Sequence, residues 1–304
     1  METIEFGGWK RCARIVSGDV EVVVTLEVGP RIIRLGLIGQ RNELHEDPDE
    51  MGKTGGDKYL SYGGHRLWIA PEDKVKTYQP ENEPVEYKRE GDWHSFKPAQ
   101  DRFGMQKELR IKADGKGGFQ LSHRISNNSS EPVTMAPWAI TVMAPGGVCL
   151  IPQSTYKPFP EVLTPVKPIA LWSYTNMEDP RLHWGSHLIR LKHDGGMGPT
   201  KIGTYVTQGY AGYINGSSLF VKRFCCDAVE DYPDFGCNFE TFTRHDMLEF
   251  ETLGLLRILK PGATAEHEEA WKLYGGVSLP DEEQALAEAL EKYAGGVSIE
   301  GKES

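Results

Sequence analysis

The segment Tyr62 to Glu72 reads YGGHRLWIAPE and carries two side chains that could do chemistry, His65 and Arg66. The unperturbed pKa of histidine lies near neutral pH, so His65 could act as a general acid or base. Arg66 could hold a hydroxyl or carboxylate group of a ligand. In an extended segment successive side chains point to opposite faces, so only one of the two can enter a given pocket. The structural alternative is a hydrogen bond from either side chain to a loop carbonyl.

Glu240 is a second candidate for proton transfer. It lies in the sequence DYPDFGCNFET, where turn residues lead into a short predicted strand. Burial beside Phe239 or Phe242 would raise the pKa of the Glu240 carboxyl toward the range useful for proton abstraction. An exposed strand glutamate would have the same local sequence.

Glu249 and Glu251 form a third candidate, because a period of two places both carboxylates on one face of a strand. Such a pair could bind a metal or serve glycoside hydrolysis, in which an acid and a base flank a sugar bond. A solvated strand face is the structural alternative.

Metal and cofactor signatures are weak in this chain. His183 and His187 have HxxxH spacing, but Gly185 and Pro180 disfavour the helix that would bring the two rings together. The sequence contains no phosphate-binding loop, dinucleotide-binding glycine fingerprint or GxSxG motif. We therefore expect neither a metal nor a cofactor.

Aromatic and charged side chains of the loop-rich segments are candidates for ligand binding. Aromatic rings stack on the apolar faces of sugars while polar groups bind the hydroxyls. The tryptophans in or near these segments are Trp68, Trp93, Trp172 and Trp184. Asp179, Arg181 and Lys201 supply charges that could hold a hydroxyl or carboxylate, although surface salt bridges would use the same residues.

The composition excludes several classes of function. With 39% hydrophobic and 26% charged residues the 304-residue chain should fold, and its net charge of -10 argues against nucleic acid as a partner. No apolar run approaches the roughly 18 residues of a membrane span, and no leader precedes the first strands, so we expect a cytoplasmic protein. Five cysteines without CxxC spacing indicate neither a disulfide framework nor structural zinc.

Alternating apolar and polar residues dominate the chain and predict many antiparallel strands with few helices, hence an all-β sandwich or barrel. One terminal helix is predicted at 281–294, because Pro280 and acidic residues precede an apolar face. The polar tail at 295–304 is expected to fray. Nothing marks a boundary, so we expect a single domain over residues 1–304.

Three parts of the chain carry a family resemblance: GGHRLWIAPE at 63–72, the segment 127–147 with APWAIT, and the C-terminal motifs GCNFET, LKPG and EAW. Together they resemble a bacterial domain family that is similar to the galactose mutarotase-like (aldose 1-epimerase) superfamily. The resemblance extends over nearly the whole chain. It implies a large antiparallel β-supersandwich with a carbohydrate cleft on one face.

The resemblance also implies catalytic roles. Glu240 is expected to take the proton of the anomeric hydroxyl, and His65, pointing into the cleft, to protonate the ring oxygen. Where mutarotases have a second histidine, this chain has Pro137-Trp138-Ala139. Either another histidine (His123, His183 or His187) replaces it, or the reaction is not mutarotation.

The sequence and the resemblance thus predict a carbohydrate-active protein of the aldose 1-epimerase type, whose partner is a small sugar or oligosaccharide; the cations Arg66, Arg181 and Lys201 would suit an acidic sugar. The predicted substrate-binding residues are Arg66, Glu72, Trp68, Asp179, Arg181 and Lys201. Two alternatives stay open: a polysaccharide lyase or glycoside hydrolase that uses the same cleft, and a non-catalytic carbohydrate-binding protein.

Overall fold

The computed structural model describes residues 1–299, which form two large antiparallel sheets and one short helix. Strands are numbered in chain order. The first sheet contains β1 (Glu2–Phe6), β2 (Trp9–Ser17), β3 (Val20–Thr25), β4 (Ile32–Leu37), β5 (His65–Ala70), β10 (Val133–Met143), β12 (Ile169–Leu171), β15 (Thr200–Thr204), β18 (Phe239–Arg244), β19 (Met247–Leu253) and β20 (Arg257–Leu259). Its order is β1-β2-β3-β4-β5-β10-β19-β18-β15-β12, with β20 paired to β10.

The second sheet contains β6 (Glu86–Glu90), β7 (Trp93–Lys97), β8 (Met105–Ala113), β9 (Gly118–Asn127), β11 (Val148–Pro152), β13 (Leu182–Trp184), β14 (Leu188–Lys192), β16 (Tyr210–Asn215), β17 (Ser218–Phe224) and β21 (Thr264–Tyr274). Its order is β13-β14-β11-β16-β17-β21-β9-β8-β7-β6. The predicted all-β antiparallel supersandwich is confirmed.

The core lies between the two sheets, because alternation sends one side of each strand inward. Phe250 of the first sheet packs against Phe220 of the second, with ring centroids 5.8 Å apart, and Phe220 in turn meets Trp271 at 5.2 Å. We call the opposite side of the first sheet, which faces away from the second sheet, the outer face.

Connecting segments cover part of the outer face. Tyr59 comes from the connection before β5, Tyr78 from the connection after it, and Trp172 and Tyr174 from the connection between β12 and β13. These side chains pack over strands at the centre of the sheet, so they enclose the residues beneath them.

The chain ends on the second sheet. Helix α1 (Glu283–Ala294) is capped by the carboxylate of Glu282 and buries Leu286 and Leu290 against β16 and β17. This confirms the predicted terminal helix within two residues. Among residues 1–299 no helix is long and apolar enough to span a membrane.

The expectation of a frayed tail is wrong for residues 295–299. Val297 and Ile299 are buried in the same apolar cluster as the helix, and Gln120 donates a hydrogen bond to the carbonyl of Ser298 at 2.6 Å. Alternating apolar residues in a mostly polar tail were enough to hold it. Residues 300–304 lie outside the described part of the chain.

Candidate active site

The register of five neighbouring strands decides which predicted residues share a face. One cross-strand row contains Gly203, Glu240, Glu251, Ile140 and Arg66. The adjacent row contains Ile202, Thr241, Phe250, Thr141 and His65. Because Ile202 and Phe250 belong to the core between the sheets, the row with Glu240 and Arg66 lies on the outer face.

Two buried carboxylates on the outer face share one lysine. Lys201 Nζ lies 2.7 Å from Glu240 Oε2 and 3.0 Å from Glu251 Oε2. The indole Nε1 of Trp138 donates to Glu251 Oε2 at 2.8 Å. Both glutamates have zero exposure, and the Oε1 atom of each has no hydrogen-bond partner among the described residues.

This arrangement favours retention of a proton by the carboxylate pair. Burial raises the pKa of Glu240 well above its ordinary value, Lys201 opposes this, and the nearby Glu251 adds to it. Burial also raises the pKa of Glu251, while Lys201 and Trp138 offset part of that rise. Burial alone would lower the pKa of Lys201, but the two carboxylates hold it above its ordinary value. The Lys201 ammonium is therefore shared between two carboxyl groups.

Arg66 lies in the same outer-face row. Its Nη2 donates to Glu249 Oε1 at 2.8 Å, and its guanidinium stacks over Trp68 at 4.3 Å. Trp68 lies 5.4 Å from Trp138, which connects the Arg66 side of the site to the paired carboxylates. We call Arg66, Glu249, Glu240, Glu251 and Lys201 the outer-face cluster.

Aromatic side chains cover the outer-face cluster. Lys201 Nζ lies 4.6 Å from the ring centroids of both Trp138 and Trp172, so the ammonium sits between two indoles. Tyr59 and Tyr78 pack edge-on against Trp68 at 5.4 and 4.8 Å. Aromatic side chains around a few polar groups are a common lining of small-molecule sites.

His65 does not join this cluster, which corrects the expectation that it points into the cleft with Glu240. Strand alternation and register place it between the sheets, where Nδ1 lies 2.9 Å from Thr141 Oγ1 and Nε2 lies 2.7 Å from His123 Nε2. Burial lowers the pKa of His65 well below its ordinary value. The structure therefore does not bring the predicted acid–base pair together.

A buried lysine and glutamate, which the sequence reasoning missed, complete the network around His65. Lys222 Nζ lies 2.9 Å from Glu269 Oε1 and donates to Thr141 Oγ1 at 2.8 Å. We call His65, Thr141, His123, Lys222 and Glu269 the inter-sheet network, because its bonds link β5, β10 and β19 of one sheet to β9, β17 and β21 of the other.

The inter-sheet network also contains a possible donor set for a metal. Ligand atoms of His65, His123 and Glu269 lie within 4.8 Å of one another. The two imidazoles already bond each other, however, and Glu269 accepts from Trp271 at 2.8 Å and pairs with Lys222. Lys222 and Glu269 cancel in charge, so a divalent ion here would leave a net positive charge in the core. We assign no metal to it.

Among the described residues no hydrogen bond or ion pair joins Glu72, Asp179 or Arg181 to the outer-face cluster. Glu72 is exposed and accepts a hydrogen bond from the Tyr78 hydroxyl at 2.5 Å. Arg181 binds Asp179 through Nε at 3.0 Å and Nη2 at 2.7 Å, and also donates to the carbonyl of Gly198. The Asp179–Arg181 pair therefore holds the backbone just before β15, the strand that carries Lys201.

One histidine of the outer face was not predicted as a site residue. The amide of His45 donates to the Val142 carbonyl, and its Nε2 lies 3.8 Å from Asp246 Oδ2 at the edge of a cavity of about 740 Å³. Its position depends on an isolated bridge between Leu44 and Met143, for which the loop-like local sequence gave no signal.

Comparison with solved structures identifies the fold. The chain is similar to the Slr1438 protein from Synechocystis (TM-score 0.59, 12% identity, 91% of this chain and 100% of that chain covered). It is also similar to a galactose mutarotase-like protein from Lactobacillus casei (0.55, 10%, 86% and 100%) and a galactose mutarotase related enzyme from Lactobacillus acidophilus (0.54, 10%, 88% and 98%). No family model and no curated protein matches. The chain therefore has the galactose mutarotase-like fold.

Proposed function

We propose that this protein is a carbohydrate-active enzyme that interconverts the anomers of a sugar bound on the outer face. The observation that carries the proposal is the pair Glu240 and Glu251, buried together on one lysine with one oxygen of each free. Such a pair holds an acid and a base in one site at neutral pH. The fold supports the same proposal, because the similar structures include proteins described as mutarotase-like.

Anomer exchange needs both members of the pair. The base takes the proton of the anomeric hydroxyl, the bond between C1 and the ring oxygen breaks, and the acid protonates that oxygen. Rotation about the C1–C2 bond exposes the other face of the carbonyl. Closure reverses both proton transfers and restores the starting protonation of the protein, so no oxidant or cofactor takes part.

The contacts favour Glu251 as the base and Glu240 as the acid. Glu251 accepts from both Lys201 and Trp138, which stabilises its ionised form, whereas Glu240 contacts Lys201 alone. The expectation from the sequence made Glu240 the base and His65 the acid. The proposal keeps Glu240 in the site and assigns the second role to Glu251 on the neighbouring strand.

Entry of a sugar requires movement of the covering aromatic side chains. Glu240, Glu251 and Lys201 are each at most 4% exposed. Trp172 and Tyr174 cover them from a connection between strands, and connections of this kind commonly form lids over active sites.

The proposal is tested by saturation-transfer NMR across a panel of aldoses and uronic acids. We expect accelerated anomer exchange for at least one sugar, and a loss of about 100-fold or more in Glu240→Gln. Glu86→Gln, at an exposed edge-strand position, is the control and should leave the rate unchanged. No acceleration with any sugar, or full activity in Glu240→Gln, would sink the proposal.

Paired carboxylates also suit glycoside hydrolysis, which is the second candidate. Release of reducing ends from glycosides, abolished in both Glu240→Gln and Glu251→Gln, would favour it over anomer exchange. An unsaturated product would indicate a lyase. Calorimetric binding of a sugar without any turnover would indicate a non-catalytic binding protein.

A further inference from the structure

The guanidinium of Arg66 is only partly used. It stacks on Trp68 and gives one Nη2 hydrogen bond to Glu249, yet among residues 1–299 neither Nε nor Nη1 has a hydrogen-bond acceptor. Arg66 is 3% exposed. Stacking leaves the edge of a guanidinium open, so these N–H groups lie in the plane in which a ligand oxygen would be bound.

Tyr59 adds a further unused donor beside the same indole. Its ring lies 5.4 Å from that of Trp68, and its hydroxyl is buried without a partner among the described residues. Burial raises the pKa of Tyr59, although the positive charge of Arg66 opposes that rise. The phenol therefore stays neutral and can donate a hydrogen bond. Buried donors that no side chain satisfies indicate a ligand or water.

The outer face is therefore polarised along its length. Unused acceptors, the Oε1 atoms of Glu240 and Glu251, lie at one end. Unused donors lie at the other end, on the far side of the contact between Trp68 and Trp138. A ligand that satisfies both ends presents hydroxyl groups to the carboxylates and an oxygen-rich acceptor to Arg66 and Tyr59.

The charge of the outer-face cluster limits what that acceptor can be. Arg66 and Lys201 balance Glu249 and one carboxylate of the shared pair, so the cluster is close to neutral when the pair holds one proton. A carboxylate monoanion can accept from the unused N–H groups of Arg66, whereas a dianion such as phosphate would face the nearby carboxylates with twice the charge.

We propose that the sugar bound here carries a carboxylate, as in a uronic acid, and that Arg66 and Tyr59 hold this group while the anomeric centre lies at Glu240 and Glu251. The inference rests on the proposed function for its placement of the anomeric carbon. Of the cations expected to bind an acidic sugar, Arg181 and Lys201 are engaged by Asp179 and by the shared carboxylates.

The test is calorimetric binding of glucuronate and galacturonate, compared with glucose, galactose and glucose 6-phosphate. We expect the wild type to bind a uronate at least about 10-fold more tightly than its neutral parent. Arg66→Lys should remove this preference, because the ammonium keeps the charge but lacks the planar array of N–H donors. Tyr59→Phe should reduce it without altering the ion pair of Arg66. Arg124→Lys, which affects an arginine–glutamate pair on the second sheet, is the matched control.

Several results would overturn the inference. In the first three, the wild type binds the uronate and its parent sugar equally, binds glucose 6-phosphate more tightly than the uronate, or binds no sugar at all. In the fourth, Arg66→Lys loses equal affinity for the uronate and its parent sugar, while Tyr59→Phe keeps the wild-type preference for the uronate. NMR separates the two proposals. Uronate binding without anomer exchange supports the inference and contradicts the proposed function, and exchange confined to neutral sugars does the reverse.

Discussion

Glu240 and Glu269 are both buried against a lysine, yet their ionisation differs. Glu269 has Lys222 to itself and also lies beside His123 and His267, and these contacts outweigh burial and hold its pKa well below the ordinary value. Glu240 shares its lysine with Glu251, so burial prevails and its pKa rises. Sharing of the cation makes one carboxylate suited to proton transfer and leaves the other structural.

Substitution of Glu240 should affect stability in a pH-dependent way. Its folded pKa lies above the ordinary value of 4.5, so its contribution is fully present below about pH 4.5 and is lost as pH rises through the folded pKa. Glu240→Gln cannot ionise, so the variant does not undergo this loss of stability as the pH rises. In urea titrations the variant should match or exceed the wild type at pH 8, with a relative gain from pH 5 to pH 8. A gain that shrinks over this range would contradict the raised pKa.

Glu269→Gln should have the opposite sign. The folded pKa of Glu269 lies below 4.5, so its stabilisation is present above about pH 4.5 and is lost as pH falls through the folded pKa. At pH 7 the variant leaves the Lys222 ammonium buried without its partner, and we expect a loss of about 3–5 kcal/mol in the free energy of unfolding. Adding Lys222→Met to this variant should restore part of the lost free energy of unfolding. A neutral effect of Glu269→Gln would show that the pair is not buried.

The exchange rate should depend on pH as a bell. Protonation of Glu251 removes the base on the acidic side, and loss of the proton of Glu240 removes the acid on the alkaline side. Both pKa values are raised, so the acidic limb should lie above pH 4.5. Rate measurements from pH 4 to pH 10 test this, and a rate that rises steadily with pH would exclude the protonated carboxyl as the acid.

Residue pairs close in sequence were only partly predictable. The rule that His65 and Arg66 occupy opposite faces, and that Glu249 and Glu251 share one, is confirmed. Whether His65 or Arg66 lies on the outer face depends on how β5 pairs with β10, which is about 70 residues away along the chain. Local sequence does not specify that pairing.

At the scale of elements, a glycine in β15 makes room for β18, the strand that carries Glu240. A Cβ on Gly203 would lie 2.8 Å from Cys237 Sγ and 3.3 Å from Glu240 Cγ. Gly203→Ala should therefore displace Glu240 and lower the exchange rate about 10-fold or more. Gly198→Ala is the control, because a Cβ there meets nothing within 4 Å. Equal rates in the two variants would show that the position of Glu240 does not limit the reaction.

The alternation of apolar and polar residues indicates some strands well and others poorly or not at all. The alternating run from Val133 to Met143 forms the single strand β10, because its residues pair with strands on both sides. The segment from Asp246 to Leu259 has no strong turn signal, yet it is divided into β19 and β20, since the amide of Gly254 turns to bond the Pro137 carbonyl. Short polar edge strands such as β6 have too little apolar signal to be recognised.

At the scale of the whole molecule, the two faces of the first sheet carry different polar systems. The outer-face cluster is covered by connecting segments, whereas the inter-sheet network is enclosed by two sheets. The sequence predicted the sandwich from its strand periodicity, but it could not assign polar residues to these two layers. That assignment needs the register of strands distant in sequence, and it is why His65 was placed with Glu240.

The most direct test of this account is the rate of anomer exchange in Glu240→Gln and His65→Gln, each verified as folded by circular dichroism. The account predicts that Glu240→Gln loses about 100-fold or more, while His65→Gln stays within a few-fold of the wild type, because His65 lies on the other face of the sheet. Loss of exchange in His65→Gln with retention in Glu240→Gln would contradict it.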